Sequence, residues 1–169
     1  MPIQANGAAG SAADIFLHVQ AKRAGKIKGE SRTEGHADDI ELIGWQWGAQ
    51  AGTAIGSSVT TARRQYQPLV VLKRLDSASS GLLSALATND EIKEAKLTMR
   101  KAGGDVLDYF KLTLSGARVV NVDVSVDAQG LPVEKVVFTF TKVEVEYQRQ
   151  AGLGASGGAF TFNDEVLPT

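Results

Sequence analysis

Residues 133–147 read VEKVVFTFTKVEVEY, and the phase of this stretch decides the fold. Phe138 and Phe140 stand at even positions, whereas Val143, Val145 and Tyr147 stand at odd ones. A one-residue slip turns every side chain to the opposite face of a strand, so a bulge or sharp bend is expected near Thr141. At about 3.3 Å per residue an unbroken strand here would reach roughly 45 Å, too long for one flat domain edge. A strand that bends midway suits a barrel or a strongly coiled sandwich.

Working upstream, Gln129-Gly130 makes a turn before Pro132, and Val120, Val122, Val124 and Val126 alternate with Asn121, Asp123 and Ser125. Val106, Phe110, Leu112 and Leu114 alternate with Tyr109, Lys111 and Thr113, and Ala95, Leu97 and Met99 with Lys96, Thr98 and Arg100. Gly103-Gly104 separates these last two runs. Strands joined by short glycine-containing turns form an antiparallel meander. A short helix precedes them, with Leu82, Leu83 and Leu86 as its apolar stripe, Ser79 as N-cap and Asn89 as stop signal. Two or three turns cannot be stable alone, so this helix must pack, most naturally on the sheet.

Nearer the start, DIFLHV at Asp14 to Val19 is a strand with Ile15, Leu17 and Val19 on one face. In IELIGWQWG, Ile40 to Gly48, the side chains of Ile43, Trp45 and Trp47 share a face and Gln46 points to the other. Pro68 opens a strand from Leu69 to Lys73. Between these lie residues 49–67, with Gly52, Gly56, paired Arg63 and Arg64, and no sustained period. A structureless connection of that length is uncommon in a compact domain, where the median is about 4–6 residues, which points to a functional loop. After Gln148 the composition is that of a linker, followed by a short strand at Phe160 to Phe162. Residues 1–13 read as a loose arm, 14–147 as the β domain and 148–169 as a Gly-rich linker and tail.

Composition narrows the function. The chain has 169 residues, 43% of them apolar and 22% charged, with a net charge of −1. That is an ordinary globular composition without the basic excess of a nucleic-acid binder. Cysteine is absent, which excludes disulfides, thiolate catalysis and cysteine-ligated metals. No apolar run approaches the roughly 20 residues that span a bilayer, and the opening residues lack the features of a secretory signal peptide. Synthesis in the cytoplasm, without membrane insertion, is expected.

The only histidines are His18, within the first strand, and His36, in a turn beside Glu34 and Asp38. Neither belongs to a nucleophile elbow, and both read as satisfied turn or surface residues. A metal site from His36, Asp38 and Asp39 would be generic. Lys101 to Gly104 has no helix behind it and reads as a turn rather than a phosphate cradle. Trp45 and Trp47 read as core anchors, and Glu144 and Glu146 as the solvated face of a half-buried strand. No catalytic residue, cofactor or metal is expected.

Taken in order, these short motifs resemble the Hcp family, the inner-tube proteins of bacterial type VI secretion systems. The matching pieces are DIFLHV, Lys28-Gly29-Glu30-Ser31 followed by His36, Trp45-Gln46-Trp47-Gly48, Leu82 to Thr88, Ala95 to Thr98, Arg100 to Gly104, and Val143 to Tyr147. The resemblance implies a mainly β fold: an antiparallel two-sheet β-barrel with one short α-helix packed on its side. It implies hexameric rings with a wide channel that stack into a tube, a spike (VgrG-like) protein at the tip, a contractile sheath outside and effector proteins inside. It further implies secretion through that apparatus. The residue between the two tryptophans would face the lumen, and here it is Gln46, where a small hydroxyl residue is common. The loop 49–67 would contact neighbouring subunits and rings, with Gln50, Ile55, Arg63, Arg64 and Tyr66 as candidates. This chain departs from the pattern in its longer arm, in the insert Gln20 to Lys26, and in Phe160 where a tail tryptophan is expected.

Two other classes compete with a self-assembling tube protein. A small β-barrel could bind an apolar ligand in its interior, although the bulky Phe, Trp and Leu side chains leave little void. A hydrolase using His36 would need partners that the sequence does not supply.

Overall fold

The computed structural model describes residues 13–58, 63–101, 107–149 and 158–166. The expected Gly103-Gly104 turn, Val106, most of the arm and most of the linker lie outside the described residues.

The organising element is one long strand, β9 (Asp108–Val126). The sequence suggested two strands here, but Gly116 bends the chain at φ +55° without ending it. Before the bend, β9 pairs antiparallel with β8 (Ile92–Lys101) on one edge and with β11 (Lys142–Gln148) on the other. Beyond Ala117, the ladder partner of β9 among the described residues is β10 (Pro132–Thr139) alone. Two sheets therefore share this strand. The first continues from β8 to β1 (Ala13–Ala21), with β2 (Gly25–Lys26) and β3 (Ile40–Glu41) on the far edge of β1, and from β11 to β12 (Ala159–Glu165). The second continues from β10 to β7 (Leu69–Lys73) and β4 (Gly44–Gln46). The meander and the tail strand follow the sequence reading.

The phase break appears where the alternation places it. β10 ends at Thr139 and β11 starts at Lys142, with Thr141 N–H bonded to Ser115 O at 3.1 Å. Gly116 lies against Thr141 so tightly that a Cβ there would overlap the threonine side chain.

Inner faces of the two sheets enclose the core. Leu17, Val19, Leu97, Leu112 and Leu114 come from the first sheet, and Leu69, Val71, Val136 and Phe138 from the second. Trp45 stacks on Phe110 across them, ring centroids 5.4 Å apart. The helix α1 (Ser79–Ala87) packs on β9, burying Leu82 and Ala85, while Leu83 faces solvent, contrary to the expected stripe. Ala78, not Ser79, holds the N-cap position. The Ser79 hydroxyl is already engaged with Lys73 and the Asp76 N–H, so it has no role as a cap. Asn89, at φ +51°, does end the helix.

Among the described residues the expected closure into a barrel is not seen. Residues 40–46 pass from the first sheet to the second, as β3 on β1 and then β4 on β7, with Leu42 N–H bonded to Ile15 O and Ile43 N–H to Leu72 O. These pairings are only two or three residues long, and the strand path stays open. Ile43 is correspondingly half-exposed rather than aligned with Trp45 and Trp47.

Candidate assembly surface

His36 and His18 are the side chains best suited to general acid–base chemistry near neutral pH. His36 is buried rather than at the surface, its ring stacked on Phe16 at 4.2 Å and 5°. Its two nitrogens each meet a carboxylate at 3.0 Å, Asp39 on one side and Asp108 on the other. Arg100 Nε donates to Asp108 at 2.8 Å and its Nη1 to Glu34 O at 3.0 Å. His18 shares Asp39 at 3.2 Å, as does Lys26. Burial works against the charge on Asp39, but bonds from His36, Lys26 and His18 outweigh it and hold the carboxyl below its ordinary range. Asp108 is lowered likewise, burial being outweighed by Arg100 and His36. Both His36 nitrogens and the Asp39 and Asp108 carboxylates are turned onto one another, which is the arrangement of a structural pin. Among the described residues no group of three or more His, Cys, Asp or Glu is placed to hold a metal ion, and no helix is long and apolar enough to cross a membrane.

A second polar knot escaped the sequence reading. Lys73 and Glu134, cross-strand partners on the core-facing side of β7 and β10, are both fully buried. Lys73 Nζ lies 3.1 Å from Glu134, 2.8 Å from Asp76 and 3.1 Å from the Ser79 hydroxyl. The signal was available: Leu69 and Val71 point inward, so Lys73, two residues on, must do so too.

The apolar surface is more informative. Past the bend, β9 outruns the core. A bulge at Val120 leaves Val119 paired with Phe138 and Asn121 with Val137, so Val120 has no ladder partner. Val122, Val124 and Val126 then continue the core-facing side, but Val124 is 59% and Val126 66% exposed. The alternation does mark a strand, yet nothing among the described residues covers its apolar face. Leu131, beyond the turn, is half-exposed as well. Along residues 118–126 the edge away from β10 carries no ladder partner among the described residues. The opposite margin of the molecule shows a second patch: Phe160 and Phe162 on β12, with Tyr147 beside them on β11, are also exposed on the core-facing side.

Residues 49–67 are not structureless. They begin and end as a separate two-stranded sheet, β5 (Ala49–Ala51) with β6 (Arg64–Tyr66). Trp47 stacks on Tyr66 at 5.8 Å, Tyr66 meets Phe140 edge-on, and Trp47 Nε1 is buried without an acceptor among the described residues. Of the loop candidates, Ile55 and Arg63 are exposed and Gln50 touches Gln65. Arg64 and Tyr66 turn back onto Asp164 of their own chain. Gln46 is exposed on the outward face of the second sheet, in the same row as Val70, Val137 and Asn121.

With this geometry in view, comparison with known proteins is specific. A family described as "Type VI secretion system effector, Hcp" matches residues 16–147. Protein hcp1 of Pseudomonas aeruginosa is 32% identical over 151 residues, covering 87% of this chain and 90% of that one. The crystal structure of Hcp1 from Salmonella typhimurium superposes with a TM-score of 0.74 at 29% identity, over 91% of this chain and 95% of that one. A further solved structure, of a type six secretion system protein, gives 0.78 at 26% identity, over 88% and 92% of the two chains. The chain belongs to the Hcp family of the type VI secretion system.

Proposed function

We propose that this chain is a tube subunit. Copies join side by side into a six-membered ring with an open centre, and rings stack along the axis into a tube that the secretion apparatus expels. The protein works by shape and assembly, without a reaction of its own. Inside the tube travel effector proteins; at its tip sits a spike protein, and around it a contractile sheath.

The observation that carries this reading is the uncovered valine face of β9 beside an unpaired strand edge. Burying one such side chain fully is worth about 1.5–3 kcal/mol, so leaving several in water is a cost that a neighbour removes. The aromatic patch on β11 and β12 is different in shape and lies at the other margin. Two unlike patches support head-to-tail contacts, which close into a ring when the rotation allows. Gln46, on the outward sheet face, is then the lumen-facing residue, and Gln50, Ile55 and Arg63 are left at the hairpin surface for adjacent rings. The fold homology supports the same assembly, and export through the apparatus requires no spanning helix.

Size-exclusion chromatography with light scattering tests it. The wild type is expected at about six times the 17.9 kDa chain mass, and a monomer at tens of micromolar would refute the assembly.

A further inference from the structure

Among the described residues the β5–β6 hairpin has no ladder to the main sheet, and its two strands pair only with each other. A lone two-stranded ribbon is marginal in water, so its pose must come from contacts at its root. Those contacts converge on one residue of the C-terminal strand. Arg64 Nε and Nη2 both donate to the Asp164 carboxylate, the latter at 3.0 Å, and Nη2 also donates to Glu165 O at 3.1 Å. Tyr66 Oη donates to Asp164 Oδ2 at 2.5 Å. Arg64 and Tyr66 are two apart on β6 and so share a face, while Gln65 between them turns to Gln50.

Asp164 itself is held firmly. It stands opposite Val143 within a seven-rung ladder between β11 and β12, and beyond it Val166 N–H bonds Thr141 O at 2.7 Å. A bidentate Arg–carboxylate pair fixes angle as well as distance. The Tyr66 ring, packed against both Trp47 and Phe140, fixes the remaining rotation. We propose that Asp164 is the positioning residue of the hairpin: the C-terminal strand acts as a clamp that sets the pose of the β5–β6 extension. It thereby governs whether rings stack. The stacking consequence rests on the assembly reading above; the clamp does not.

Hydrogen exchange separates the two. Asp164→Ala and Asp164→Asn are compared with wild type by mass spectrometry of peptides covering residues 47–51 and 63–68, with β8 peptides as internal reference. The clamp predicts exchange about 5–10-fold faster in the hairpin of Asp164→Ala, a smaller increase in Asp164→Asn, which keeps the acceptor oxygen, and no change in β8. Unchanged hairpin exchange in a folded variant overturns the proposal. Sedimentation of the same samples then reads stacking: rings that keep their mass but no longer form tubes support the consequence, and tubes formed as in wild type overturn it. Should wild type form no rings, the assembly reading fails while the exchange result still decides the clamp.

Discussion

The Lys73 ammonium and the Glu134 carboxylate face each other across β7 and β10 at 3.1 Å, both sealed from solvent. Asp76 and Ser79 complete the site, so the pair ties the second sheet to the first turn of α1. Taking one partner away leaves a buried charge uncompensated. Lys73→Met is therefore expected to cost about 3–5 kcal/mol, and Lys73→Met combined with Glu134→Leu distinctly less than the sum of the single changes. Urea unfolding of the three variants measures this, and additive losses would contradict it.

Gly116 is the second fixed point. Its φ of +55° and the Thr141 side chain against it leave no room for a Cβ. Gly116→Ala is expected to destabilise by about 1–3 kcal/mol or more. A thermal melt unchanged from wild type would mean that the corner between the sheets does not depend on this contact.

Asp39 and Asp108 both release their protons below the ordinary carboxyl value of 3.8. A group whose folded pKa is depressed adds stability that is present above the unfolded pKa and lost as pH falls through the folded one. The melting temperature should hold from pH 7 to 5 and fall below about pH 4. Asp108→Asn should be less stable at pH 7, by about 1–3 kcal/mol, with a flatter acid limb. A variant profile parallel to wild type would remove Asp108 from the explanation.

Val126, 66% exposed and opposite Pro132, is clear of the core, whereas Val124 stands opposite the buried Glu134. Val126→Lys should leave the unfolding free energy within about 0.5 kcal/mol while abolishing association. Retention of the wild-type mass by this variant in light scattering would exclude the valine face from the interface.

How far the sequence carried is clear from particular elements. The slip of phase between Phe140 and Val143 located the corner at Thr141, because period-two alternation has only two states. Pro68 and Asn89 marked a strand start and a helix end through backbone constraint alone. The valine run of β9 reads only as one strand of the meander, since alternation reports which side is apolar and not whether anything covers it. Barrel closure was overread for a related reason: the partner switch of residues 40–46 depends on three-dimensional register, which no local pattern encodes. The His36 site was invisible because Asp108 lies 72 residues away in sequence. The Asp164 clamp spans more still, 100 residues from Arg64 on β6 to Asp164 on β12.

Negative-stain electron microscopy of the purified wild-type protein at tens of micromolar tests the central claim most directly. The account predicts annular particles of six copies with an open centre, some of them stacked end to end; fields of isolated compact particles of single-chain size would contradict it.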